Sequence, residues 1–187
     1  MTVEESIAGR RSRRDFSGAP LTLGQLGQLL WSMQGCTGAG CLRAAPSAGA
    51  TFPLEIFAAV GEGGVEGLEA GVYRYHAEDH EIALFMEGDL RRRIAAAALR
   101  QLWIPAAPVT IIVCADYSRT EGRYGLRGRQ YVHMEVGHAG QNLYLQAESL
   151  GLGTVGIGAF DEDAIARMLG VAGALDVLTI MPVGKCR

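Results

Sequence analysis

The chain has no apolar run approaching the roughly 20 residues that span a bilayer. The stretch from Met1 to Pro20 is charged and lacks the hydrophobic block of a signal peptide. No membrane contact and no export are therefore expected. Cysteine is scarce: Cys36, Cys41, Cys114 and Cys186 show no paired metal-ligand spacing, and Cys114 sits inside an apolar run, where it reads as a small hydrophobe. A reducing cytoplasm is the expected setting. There is no H-E-x-x-H, since between His76 and His80 an alanine, Ala77, stands where the glutamate belongs. His133 and His138 are five apart on a helical stretch and share no face well, which predicts core or capping roles and no metal site. No G-x-S-x-G elbow and no Ser-His-Asp or Cys-His pattern supports a covalent hydrolase. Excess positive charge is also missing. Lys and Arg total 17 against 20 Asp and Glu, a net charge of -3, which excludes a nucleic-acid binder held by bulk charge. Internal repeats and linkers are absent.

What is present is an ordinary globular composition, 49% hydrophobic and 20% charged over 187 residues, which predicts one domain spanning residues 1–187. Two basic clusters lie at its ends, Arg10-Arg11-Ser12-Arg13-Arg14 and Lys185-Cys186-Arg187. Arg10, Ser12 and Arg14 recur every second residue, as do Lys185 and Arg187. In extended backbone such residues share a face. Two guanidinium groups, a hydroxyl and a second cationic pair can then converge on one small anion, and the guanidinium fork suits phosphate.

Periodicity predicts a helix after Thr22, with apolar positions 23, 26, 29 and 30, then a glycine-containing loop over Gly35–Gly40. Ala45–Pro53 has two prolines and small residues, so irregular backbone able to approach a ligand is expected. Strands are predicted at Leu54–Val60, at a hairpin of Gly71–Tyr75 and Glu81–Phe85 around the turn His76–His80, and at Val109–Ala115. The last is continuously apolar, as in a strand buried on both faces. Asp89–Trp103 reads as one alanine-rich helix. Asp116–Gln130 reads as a polar loop or lead-in, and Tyr131–Leu150 as a long helix stopped by Gly151. A short strand or loop over Thr154–Gly158, a helix over Asp161–Leu169 capped by Asp161, and a strand over Ala174–Val183 complete an α+β pattern. Gly151-Leu152-Gly153-Thr154-Val155-Gly156 matches the dinucleotide fingerprint as a string. That motif needs a strand before it and a helix opening at it, whereas here a long helix precedes it.

Taken in order, several strings resemble the FMN-binding nitroreductase superfamily, and within it the SagB/McbC-type azoline dehydrogenases. They are Arg10–Phe16, Ala45–Glu55, Gly71–Tyr75, Gly137–Ala147, Gly156–Asp161 and Pro182–Lys185. The resemblance implies a mainly antiparallel central sheet flanked by helices, a homodimer with FMN at the subunit interface, and no nucleic-acid partner. It implies that Arg10, Ser12, Arg14, Lys185 and Arg187 hold the FMN phosphate. Pro46, Ser47, Ala48 and Ala50 would reach the flavin from the second subunit. Gln101 would meet the pyrimidine edge, and Ile157 with Gly158 would form the turn whose N–H faces flavin N5. The small-residue helix around Gly137–Ala147 is the candidate interface.

Azoline dehydrogenases carry a Lys-Tyr pair before the long helix, but this chain has Arg123-Tyr124-Gly125. Arginine stays protonated and cannot be a base, so Tyr124 would act alone or with Arg123 as an electrostatic helper. That departure counts against heterocycle oxidation and leaves flavin binding untouched. The resemblance as a whole implies a SagB-like dehydrogenase acting on an azoline or another small or peptide-borne substrate. The alternative is an NAD(P)H-dependent nitro or quinone reductase.

Overall fold

The computed structural model describes residues 1–38 and 40–187, so Ala39 of the predicted glycine-containing loop lies outside the described residues. Among these, six strands form one antiparallel sheet in the order β3-β2-β1-β4-β6-β5. The strands are β1 (Leu54–Val60), β2 (Gly71–His76), β3 (Glu81–Glu87), β4 (Val109–Ala115), β5 (Gly153–Thr154) and β6 (Asp176–Gly184).

Every residue of β4 is buried, Thr110 among them, as a largely apolar run requires of a central strand with helices on both sides. On one face Ile56, Ile111, Val113 and Val183 pack against α2 (Leu23–Gln34) and the 22-residue α6 (Gly128–Ser149). On the other, Phe57, Ile112 and Ile180 pack against α3 (Arg91–Ala97), the single turn α4 (Trp103–Ala106) and α7 (Glu162–Leu169). Thr22 caps α2 through a reciprocal box with Gln25, and Asp161 caps α7 by accepting the Ala164 N–H at 2.8 Å. Each cap is worth about 1 kcal/mol. An additional helix, α1 (Val3–Gly9), opens the chain on a Thr2–Glu5 box.

Three expectations need correction. Asp89–Trp103 is not one helix. Leu99 and Arg100 adopt φ of 53° and 57°, breaking it into α3 and α4, a tertiary override of an alanine-rich propensity. Asp116–Gln130 is mostly helical. It forms α5 (Tyr117–Tyr124), capped by Asp116, then a 3-10 turn over Gly125–Arg127, and α6 begins at Gly128. His133 and His138 are exposed and not core residues, with the Tyr117 hydroxyl 2.9 Å from His133 Nε2. No helix among the described residues is long and apolar enough to cross a membrane.

Candidate functional site

Beyond α1 the chain runs along the free edge of the sheet. Ser12 pairs in parallel with Thr154 of β5, and the Arg13 N–H donates to the Thr154 carbonyl at 2.9 Å. Phe16 then pairs antiparallel with Cys186, and both the backbone N–H and the hydroxyl of Ser17 donate to the Lys185 carbonyl, at 2.8 and 3.1 Å. Because Thr154 also pairs with Val183, Ser12 lies across β5 from β6, about 10 Å away over two strand spacings, while Phe16 adjoins Cys186 directly. Gly153 permits this close approach, since a Cβ there would run into the side chains of Arg13 and Cys186.

Tyr144 of α6 pins the cluster, and sequence reasoning did not single it out. Its hydroxyl accepts the Gly156 N–H at 2.7 Å and lies 3.2 Å from the Ser12 hydroxyl. The Arg10 guanidinium covers its ring at 5.2 Å. The Arg14 guanidinium lies 5.6 Å from the Trp103 ring. Nearby, Gln101 donates from Nε2 to the Ala159 carbonyl at 3.2 Å, beside Gly158. Among the described residues no carboxylate pairs with Arg10, Arg14 or Lys185. Arg187 already has a partner, with Nε 3.7 Å from Asp15 Oδ1 in an exposed pair. Ile157 departs from expectation. Its side chain is buried and its N–H donates to the Ile180 carbonyl at 2.9 Å, so it has no N–H to offer a ligand. Gly158 is the exposed member of that turn.

The loop Ala45–Pro53 forms a second cluster. Gly49, Ala50 and Phe52 all have positive φ, at 61°, 52° and 45°, so non-glycine residues are held in the left-handed region by their surroundings. The clamps come from α5 and its cap. Arg123 Nη1 donates to the Gly49 carbonyl and Arg119 Nη1 to the Phe52 carbonyl, each at 2.9 Å, and the Thr51 and Thr120 hydroxyls meet at 2.8 Å. A Cβ on Gly49 would meet the Tyr124 hydroxyl at 2.5 Å. Inside the loop the Ser47 hydroxyl accepts the Phe52 N–H at 3.0 Å.

Beneath the loop lies Glu135 of α6, 2% exposed, with the Gln34 amide 3.4 Å from its carboxyl. Burial pushes the Glu135 carboxyl up to about 7, against the opposing pull of Ser47, Gln34 and the Arg43 charge. A polar cavity of about 430 Å³ opens alongside, lined by Gln34, Arg43, Phe52, Glu55, Arg74 and Arg119. On its wall Glu55 accepts from Arg74 at 2.9 Å and from Arg119 at 2.6 Å.

The structure thus places the backbone bearing Arg10, Ser12, Arg14 and Lys185 along one sheet edge, with Gly158 beyond β5 and Gln101 bonded to the neighbouring Ala159, and Pro46, Ser47, Ala48, Ala50, Arg123 and Tyr124 at another place. Tyr124 stacks edge-on against Tyr131 at 5.1 Å, while the first cluster touches Tyr144. Those two tyrosines are thirteen positions apart on one helix, about 20 Å along its axis. Chemically the first cluster offers the Arg10 guanidinium beside the Ser12 hydroxyl at Tyr144, with Arg14 over Trp103 and Lys185 on the adjoining backbone, and no carboxylate pairs with these cations among the described residues. The residues fit a phosphate-bearing flavin. Among the described residues no group of three or more His, Cys, Asp or Glu side chains could hold a metal ion.

Comparison with known proteins identifies the lineage. The Nitroreductase family model matches residues 7–185. A Methanocaldococcus jannaschii protein bearing the name nitroreductase MJ1384 is 44% identical over 183 residues, covering 98% of this chain and 90% of its own. A crystal structure named as a nitroreductase from Anabaena variabilis is 33% identical with a TM-score of 0.86; the alignment covers 99% of this chain but only 38% of that longer one. The E. coli microcin synthetase McbBCD complex, with truncated pro-MccB17 bound, holds a chain of the same fold. Its TM-score is 0.81 at 20% identity, and the match covers 97% of this chain and 73% of that one. The chain belongs to the nitroreductase family and is an oxidoreductase.

Proposed function

With that membership as premise, we propose that the protein is an FMN-dependent dehydrogenase of the SagB/McbC type. It works as a cytoplasmic homodimer and oxidises an azoline or another small or peptide-borne substrate. What supports the cofactor assignment is that the backbone segments bearing Arg10, Ser12 and Arg14 and bearing Lys185 meet along one sheet edge, with no carboxylate paired to these three cations among the described residues. Such charge-assisted contacts are each worth about 1.5–3 kcal/mol.

Bound there, FMN would supply the two-electron acceptor of the reaction. Arg10, Arg14, Lys185 and Ser12 would hold its phosphate, and Tyr144 keeps Ser12 and the Gly156 turn in place. Arg187 adds a cation at the rim. Gly158 offers a backbone N–H toward the ring, Gln101 presents its amide, and the buried side chain of Ile157 backs the turn. The 20 Å between the two clusters supports completion of each site by the partner's Pro46–Ala50 loop, with the exposed, side-chain-free Gly137 on the α6 face that would meet it.

In the loop cluster, Tyr124 holds the proton-handling oxygen. Arg123 remains cationic and spends one nitrogen on the Gly49 carbonyl, which braces the loop. That same arrangement favours a second reading, an NAD(P)H-dependent nitro or quinone reductase, because no lysine base stands beside Tyr124. Anaerobic mixing with NADPH separates the two. Persistent flavin absorbance is expected of the dehydrogenase, and rapid bleaching would assign the reductase. Protein purified after incubation with excess FMN that shows no bound-flavin spectrum would overturn both.

A further inference from the structure

One side-chain cluster plays no part in the function argued above. Cys36 and Cys41 bracket the tip of the loop that follows α2, and their sulfurs are disulfide-bonded, with Cα atoms 4.6 Å apart. That separation lies within the range a disulfide spans without moving backbone. The stem of the loop is itself ordered. Cys36 pairs with Arg43, Thr37 donates to the Leu42 carbonyl at 2.8 Å, and Ala44 donates to the Gly35 carbonyl at 2.9 Å.

Arg43 distinguishes this pair from a passive crosslink. Its Nη1 contacts both sulfurs, at 3.2 Å to Cys36 and 3.1 Å to Cys41, and its guanidinium lies over the Phe52 ring at 5.0 Å. The side chain of Arg43 is 13% exposed, and its only ion-pair partner among the described residues is Glu78, at 3.9 Å and itself 78% exposed. A cation in contact with both sulfurs stabilises whichever leaves as thiolate, the environment that makes cysteines reactive. No such cation acts on Cys114, and at Cys186 burial outweighs the Arg13 charge. Burial pushes the Cys114 thiol up to about 12, and burial also raises Cys186. A loop closed over a sequence separation of five removes little chain entropy, so the bond adds less stability than a long-range disulfide. Both cysteines are partly exposed and within reach of a small thiol.

We propose that Cys36 and Cys41 form a thiol–disulfide exchange site for a small thiol reductant, with Arg43 as its thiolate-stabilising residue. The step balances. One thiolate of the reductant attacks a ring sulfur, the Cys36–Cys41 bond breaks, and the departing sulfur leaves as a thiolate against Arg43. A second reductant thiolate resolves the mixed disulfide. Two thiols leave as one disulfide, and their two electrons and two protons end on Cys36 and Cys41. The inference does not depend on flavin binding.

The test equilibrates the full-length protein as purified with glutathione buffers of graded reduced-to-oxidised ratio, then alkylates it and maps each cysteine by mass. Trp31 gives a second readout, since its indole N–H donates to the Cys36 carbonyl at 3.3 Å. Cys36 and Cys41 are expected to convert together and reversibly, with Trp31 emission following the same midpoint. In Arg43→Met the midpoint should move about tenfold toward more reducing buffer, and in Arg43→Lys by less. If Arg43→Met loses its native circular dichroism, Arg43→Gln replaces it. A pair that stays wholly oxidised in fully reduced glutathione, or stays as thiols throughout, overturns the site. A native Arg43→Met or Arg43→Gln protein with an unmoved midpoint overturns the role of Arg43.

Discussion

The Tyr144 hydroxyl accepts the Gly156 N–H at 2.7 Å, tying the middle of the C-terminal half of α6 to the turn that follows β5. The same oxygen lies 3.2 Å from Ser12. One phenol therefore sets the spacing between the N-terminal basic segment and the turn bearing Gly158. Tyr144→Phe should cost about 1–2 kcal/mol of stability through the orphaned donors and loosen the cradle. FMN affinity measured by fluorescence quenching should fall about tenfold. Unchanged affinity together with an unchanged melting temperature would remove Tyr144 from the site.

Arg10→Ala/Arg14→Ala should purify as colourless apoprotein. Losing two charge-assisted contacts of about 1.5–3 kcal/mol each weakens binding by two to four orders of magnitude. The flavin-to-protein absorbance ratio after purification reads this out. A fully yellow double variant contradicts the phosphate assignment.

Tyr124→Phe should slow substrate oxidation by about a hundredfold, the lower range for a lost proton-transfer group, while flavin occupancy stays intact. Steady-state rates are compared with bound-flavin content. Loss of flavin in this variant would assign Tyr124 to cofactor binding.

The Glu135 carboxyl titrates near 7 in the folded protein against 4.5 for an ordinary glutamate, burial being the leading cause. Between those values the folded state keeps a proton that the unfolded chain has released. This group's contribution is therefore full below about pH 4.5, falls as pH rises, and is gone above about 7, a total of roughly 3 kcal/mol. Glu135→Gln should remove that decline and be the more stable protein at pH 8, because the amide can still meet Ser47 and Gln34. Denaturant midpoints at pH 5, 6, 7 and 8 check it. Parallel curves for the two proteins would mean that the native carboxyl is ionised throughout.

Much of the scaffold was legible because it rests on local rules. Val109–Ala115 is apolar at every position but Thr110 and so reads as a strand covered on both faces. Thr22 and Asp161 carry capping chemistry that marks a helix start whatever surrounds it. The break at Leu99 and Arg100 was not legible, since an alanine-rich run favours helix until neighbouring elements force the turn. Nor was the start of α6 at Gly128, where the backbone at Thr120 and Glu121 comes so close that a Cβ would meet Glu121 N at 2.9 Å.

The candidate site divides along the same line. The alternation of Arg10, Ser12 and Arg14, and of Lys185 with Arg187, suggested the anion cradle proposed above, because period two is a property of extended backbone alone. Tyr144 under Ser12, 132 positions away, the freeing of Gly158 rather than Ile157, the contact of Arg43 with two sulfurs, and the burial of Glu135 followed from packing. Side-chain type and spacing specify what a residue can donate or accept. Which partner it meets, and whether water still reaches it, is specified by elements far away in the chain.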